Sequence, residues 1–249
     1  MGCRSGMYCL LALAAIGGAA AQEHVASPDG QIEFRLFLDR PDPAALFRLA
    51  YQVDFHGKPL LNTSFLGLRI HNQEPDLGDN VGLVSARLES SRPYNKLVAE
   101  YMQNGSLGRR INVEVRAYND GVAFRYVIPE STPLSPMLLD NEFTEFAFAE
   151  GSESITEIVP GSITGLPFVT EQRGLGWLAI DEVRAGTYPP MSVTREDGSI
   201  LISRLPARAD ESNLAWEGPT PMTCPWRVLT IGATRRQVSE SKLVNSLNP

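Results

Sequence analysis

Beyond residue 21 the dominant signal along the chain is alternation of apolar and polar positions with a period of two. Ile32, Phe34, Leu36 and Leu38 alternate with Glu33, Arg35 and Phe37. Phe47, Leu49, Tyr51, Val53 and Phe55 alternate with Arg48, Ala50, Gln52 and Asp54. Successive strand side chains point to opposite faces, so each run predicts a strand with one buried face. Ile111, Val113, Val115 and Ala117 repeat the pattern, and Asn119-Asp-Gly121 then turns the chain into the apolar run Val122 to Ile128. This predicts a hairpin in which Asp-Gly supplies the positive φ of a tight turn. Shorter apolar runs follow at Phe65 to Ile70, Phe143 to Phe148, Trp177 to Ile180, Ser199 to Ser203 and Arg227 to Ile231, punctuated by Pro, Gly and Ser. A helical stripe is found only weakly, over Val238 to Leu247. Many short strands without an internal repeat or a low-complexity linker predict one all-β domain, a sandwich or a barrel, over residues 22–249.

The first 21 residues break this pattern. Arg4 precedes the apolar, small-residue stretch Tyr8 to Ala20, and Ala19-Ala-Ala21 satisfies the small-x-small cleavage rule before Gln22. This reads as a secretory signal peptide over 1–21, too short in its apolar part to span a bilayer comfortably. The mature chain is therefore expected to be exported, to the periplasm or the medium, with no membrane contact after cleavage. Cys3 and Cys9 would leave with the signal, so Cys224, flanked by Thr223 and Pro225, is expected to be a structural thiol without a disulfide partner. A formal charge of −7 argues against nucleic acid as a partner.

Few residues carry candidate chemistry. His24, His56 and His71 have no metal-ligand spacing and read as surface residues in turns or near the mature terminus. The stretch Glu74-Pro-Asp76-Leu-Gly-Asp79-Asn80 is rich in oxygen ligands but lacks the spacing of a calcium loop, and reads as a solvated loop. Asn62-Thr-Ser64 and Asn104-Gly-Ser106 fit the glycosylation sequon. Trp177, Trp216 and Trp226, with Tyr94 and Tyr101, serve either as core or as platforms for sugar rings, core being the commoner role in a β domain. Glu182, at the end of Leu178-Ala-Ile-Asp-Glu182 and just before Tyr188-Pro-Pro-Met191, is the best functional lead. No second acid, nucleophile or phosphate loop accompanies it, and one carboxylate cannot run a hydrolysis. It suits a hard cation such as calcium, which takes about 6 to 8 oxygen ligands from several segments, of which Glu182 supplies one or two. Asp181 would point to the opposite face of the strand.

Taken in order, Ser27-Pro-Asp-Gly30, Val53-Asp-Phe-His-Gly-Lys-Pro59, Ser64-Phe-Leu-Gly-Leu68 and Arg116-Ala-Tyr-Asn-Asp-Gly-Val-Ala-Phe-Arg-Tyr126 form a collinear set. Glu142-Phe-Thr-Glu-Phe146, Leu166-Pro-Phe168, Ala179-Ile-Asp-Glu182, Tyr188-Pro-Pro-Met191, Pro225-Trp-Arg227 and Leu243-Val-Asn-Ser-Leu-Asn-Pro249 continue it. Together they resemble the N-terminal domain of glycoside hydrolase family 97, exported bacterial α-glucosidases and α-galactosidases. The resemblance implies an antiparallel β-super-sandwich of the galactose mutarotase-like kind, packed on a catalytic (β/α)8 barrel. It implies that Glu182 is a ligand of a calcium ion shared with that barrel, and that every catalytic residue belongs to the barrel, beyond Pro249. Val183 stands where the family usually has alanine. The partners implied are the barrel, in cis or in trans, and carbohydrate, and no catalysis is expected from this chain alone. A free-standing carbohydrate-binding sandwich is the rival reading.

Overall fold

The computed structural model describes residues 22–248 apart from 106, 153, 154, 156, 185, 197, 211 and 212. The signal segment 1–21 and Pro249 lie outside the described residues, as does Ser106 of the second sequon. The described chain is an all-β, antiparallel sandwich closed by two short helices, Arg235–Glu240 and Leu243–Leu247. One layer is a large sheet, ordered from its edge Phe168–Gln172 through Gly176–Val183, Trp226–Gly232, Gly121–Ile128, Arg110–Tyr118 and Tyr94–Gln103 to Val81–Glu89. Facing it are Glu23–Ala26, Ile32–Asp39, Arg48–Phe55 and Lys58–Phe65, paired in that order, with smaller sheets built on Met137–Glu142 and on Ser192–Arg195 with Ile200–Arg204.

The alternation read from the sequence explains how the layers meet. Phe34 and Tyr51 stack with ring centroids 5.1 Å apart on one sheet, and Phe124 of the large sheet packs 5.6 Å and 5.2 Å from them. All three rings are fully buried. Such aromatic clusters combine large apolar burial with favoured tilted geometry. The Tyr51 hydroxyl donates to the Glu145 carbonyl at 2.7 Å, which satisfies its polar end inside the core. Residues on the other face of the large sheet form a second, smaller core, where Val183, Trp226 and Val228 meet Leu243 and Leu247 of the last helix.

Three expectations are corrected. Phe47 lies just outside the strand Arg48–Phe55 and is 46% exposed, with the Arg40 guanidinium 5.0 Å above its ring. The two strands Val81–Glu89 and Tyr94–Gln103 were not expected, because the first buries only Val81 fully and the second alternates through Ala99 and Gln103, which carry little apolar signal. The acidic loop is docked, not solvated. Arg109, itself buried, donates to the Pro75 carbonyl at 2.7 Å, Gln103 donates to the Asp76 carbonyl at 2.9 Å, and Arg69 holds the Asp76 carboxylate at 3.1 Å. Buried donors on a neighbouring strand thus replace the water this loop would otherwise need.

Candidate metal-ligand site at the end of a strand

Glu182 sits near the end of the strand Gly176–Val183, whose inward positions Leu178 and Ile180 join the main core. The same alternation turns Glu182 inward, and Asp181 points to the opposite face, as expected of adjacent strand residues. Its cross-strand partner is Arg227, on a strand in which all seven residues are buried. Arg227 Nη1 donates to Glu182 Oε2 at 2.8 Å. After the strand, the chain turns through Pro189 and Pro190 and brings back the Met191 amide, which lies 3.1 Å from both carboxylate oxygens. The Glu182 side chain is 6% exposed.

Arg227 has a second acid. Its Nε and Nη2 donate to the two oxygens of Glu142 at 2.7 Å and 2.5 Å, a bidentate pair in which neither side chain is exposed. Glu142 also accepts from Thr144 Oγ1 at 2.7 Å and from the Tyr188 hydroxyl at 2.9 Å, while Tyr126 bonds Thr144 at 2.8 Å. Burial alone would raise the Glu142 pKa, but Arg227, Thr144 and Tyr188 outweigh it and hold the carboxyl below its ordinary value. Burial likewise disfavours charge on Arg227, yet Glu142 holds its pKa well above the usual range. Burial pushes the Tyr188 and Tyr126 hydroxyls far up and also raises the Cys224 thiol, so Cys224 is the inert structural group expected.

Four of the sequence motifs therefore converge on one cluster: Glu142-Phe-Thr144, Ala179-Ile-Asp-Glu182, Tyr188-Pro-Pro-Met191 and Pro225-Trp-Arg227. Sequence reasoning singled out only Glu182. The partnership with Glu142 and Arg227 did have a signal, an arginine heading an otherwise apolar strand, since a buried charge needs a buried counter-charge.

The depressed pKa of Glu142 makes a pH prediction. A carboxylate whose folded pKa lies below its unfolded value stabilises the fold above the unfolded pKa and loses that contribution as pH falls through the folded one. Urea midpoints measured from pH 7 downward are expected to fall once the pH passes below the ordinary carboxylate range. In Glu142→Gln, the fall over the same interval should be shallower.

The other candidate residues do not assemble. Among the described residues, no three His, Cys, Asp or Glu side chains come together as a metal-binding group. His71 is half-buried instead of a free surface residue, its Nδ1 2.7 Å from Asp140 Oδ1. The tryptophans are dispersed. Trp226 lies between the Arg116 and Arg125 guanidinium groups at 4.5 Å and 4.2 Å, Trp216 packs 6.0 Å from Tyr188, and Trp177 faces Arg235. For calcium, the residues fit a minor share of a site. Glu182 offers hard oxygens, of which Oε1 has, among the described residues, the Met191 amide and the exposed Arg184 guanidinium at 3.8 Å as partners. The other ligands would have to come from another polypeptide segment.

The sequence matches the family described as "Glycosyl-hydrolase 97 N-terminal" over residues 25–158 and 152–249. The chain belongs to that family. Among solved structures, it is similar to a glycoside hydrolase family 97 enzyme from Pseudoalteromonas sp. strain K8 in complex with acarbose, at 19% identity and a TM-score of 0.78. A variant of that enzyme in complex with panose matches at 18% identity with the same TM-score. A β-arabinopyranosidase matches at 19% identity and a TM-score of 0.70. The match covers 91% of this chain but only 38% of the Pseudoalteromonas enzyme, and 85% of this chain but 40% of the arabinopyranosidase, so the chain spans less than half the length of these structures. No helix among the described residues of the domain is long and apolar enough to cross a membrane.

Proposed function

We propose that this domain is the non-catalytic N-terminal part of an exported, calcium-dependent glycoside hydrolase. It packs on a (β/α)8 barrel that performs the hydrolysis of α-glycosides, and it presents Glu182 as one ligand of a calcium ion at the barrel's active site. The observation that carries this reading is the charge balance at Glu182. Two carboxylates, Glu142 and Glu182, share one buried guanidinium, Arg227, and the further cation at Glu182 is the exposed Arg184 at 3.8 Å, so Glu182 is compensated only in part at the strand end. Glu142 is enclosed and cannot reach a ligand, whereas Glu182 lies at the edge with its orientation fixed by Arg227 and Met191. A fixed carboxylate with incomplete charge compensation is what a divalent cation needs from a contributing domain.

When bound, calcium would supply charge stabilisation at the sugar-binding site. The work of this chain's own residues, Arg227 and the Met191 amide, is to hold the Glu182 carboxylate in place. The test is Glu182→Gln in the domain assembled with its barrel, with calcium affinity measured by calorimetry. Affinity is expected to fall by about tenfold or more, with glycosidase activity recovering at high calcium. Unchanged calcium affinity would overturn the role assigned to Glu182.

A further inference from the structure

On the opposite face of the same strand lies a groove that the cluster around Glu182 does not use. Trp177, Ala179 and Asp181 follow one another on the outward face of Gly176–Val183. With two residues per repeat, Trp177 and Asp181 stand about 13 Å apart along the strand. Ala179 between them is small, and its cross-strand neighbours Val169 and Thr230 complete a shallow floor. Helix Arg235–Glu240 and the chain after it form the wall. Two depressions of about 310 Å³ and 400 Å³ adjoin, since Val169 and Arg235 line both. The first reaches Trp177, and the second reaches Asp181 and Asn245.

The chemistry of the groove is unusual for a bare sheet surface. Trp177 is half-buried at one end, with the Arg235 guanidinium 5.6 Å from its ring centroid. Val169 is an apolar side chain left 39% exposed on the floor. Asp181 at the other end is half-buried, accepts the Glu182 amide at 2.8 Å, and has no cationic partner among the described residues.

We infer that this groove is a binding site for a neutral oligosaccharide of two or three rings, stacked on Trp177 and hydrogen-bonded by Asp181, Arg235 and Asn245. An indole takes the apolar face of a pyranose, while a carboxylate and a guanidinium each accept or donate paired bonds to vicinal hydroxyls. The sign of the charges selects a neutral ligand. An acidic sugar would meet Asp181, and a basic one would meet Arg235. The site is independent of the calcium reading, because Glu182 faces the other side of the sheet.

The experiment is a nuclear magnetic resonance titration of the isolated chain with maltotriose and panose. Saturable shifts are expected at the Trp177 indole N–H and at the amides of Val169, Ala179 and Asp181, with a roughly millimolar dissociation constant. Trp177→Ala should weaken binding about tenfold and Asp181→Asn about fivefold, each with an unchanged amide spectrum elsewhere. Glu182→Gln should leave the titration as it is, which separates this site from the proposed metal ligand. Flat titrations would overturn the proposal. Binding that survives both Trp177→Ala and Asp181→Asn would also overturn it.

Discussion

Replacing Arg227 by methionine is expected to destabilise the domain by about 3 to 5 kcal/mol, which is a large part of the 5 to 15 kcal/mol typical of a folded domain. The side chains have similar reach and the strand position is fully buried, so the loss is electrostatic and not one of volume. Without the guanidinium, Glu142 is left with Thr144 and Tyr188 as donors but no counter-charge, and Glu182 retains only the Met191 amide and the loose contact with Arg184. Breaking a buried pair strands a charge in a medium that cannot solvate it. The pH dependence should then change sign. In the native domain, Arg227 keeps the Glu142 carboxyl below its ordinary value and acid removes stability. In Arg227→Met, burial outweighs the remaining donors Thr144 and Tyr188 and raises the folded pKa of Glu142 above the unfolded one, so stability should increase as the pH is lowered through that folded value. Urea unfolding of the two proteins from about pH 7.5 down to about pH 3, a window that spans the roughly 3.9 to 4.3 range of free carboxylates, reads this directly. Adding Glu142→Gln to Arg227→Met should recover part of the loss. Parallel pH profiles for native and variant domains would show that the cluster is held by packing alone.

The cluster was legible in the sequence as pieces and not as a unit. Strand periodicity correctly put Glu182 and Asp181 on opposite faces, because alternation is a local property of the backbone, but did not say which of the two turns inward. It could not pair Glu182 with Arg227, 45 residues later, or Arg227 with Glu142, 85 residues earlier, because those contacts depend on which strands become neighbours. Four of the collinear motifs held that information, since each contributed at least one member of the cluster. The same division runs through the fold. Strands with a strong apolar face, such as Ile32–Asp39 and Arg110–Tyr118, were readable. The edge strand Val81–Glu89 was not, because an edge strand with most of its residues exposed has little reason to alternate. The acidic loop 74–80 was misjudged for a similar reason. Its partners Arg69, Gln103 and Arg109 lie in sequence on either side of it, and only the folded sheet brings their donors onto it.

Gly121 carries the second large prediction, because its positive φ is joined by a requirement for space. The sequence predicts a hairpin at Asn119-Asp-Gly121, with positive φ supplied by the Asp-Gly pair. The hairpin is present, joining Arg110–Tyr118 to Gly121–Ile128 with Tyr118 opposite Gly121. Asn119 and Asp120, the loop residues, do not have positive φ, and Gly121 has φ +154°, at the first position of the strand. The stronger requirement is space. A Cβ at residue 121 would lie 2.2 Å from the Leu229 carbonyl oxygen on the adjacent strand and 2.6 Å from Cδ2 of Leu243, in the last helix. Leu243 could shift, but the carbonyl belongs to a strand hydrogen-bonded on both sides, and the Ile231 amide donates to the Asp120 carbonyl at 2.9 Å across the same turn. Alanine at 121 must therefore push apart the two central strands of the large sheet, one of which carries Arg227. We expect Gly121→Ala to cost about 3 kcal/mol or more, combining backbone strain with overpacking. Chemical denaturation gives the loss, and hydrogen exchange should place it at the Gly121 to Phe124 and Arg227 to Thr230 amides. A variant with native stability would mean that this strand pair tolerates separation, and the rigidity assigned to the Arg227 strand would have to come from Glu142 and Tyr188 alone.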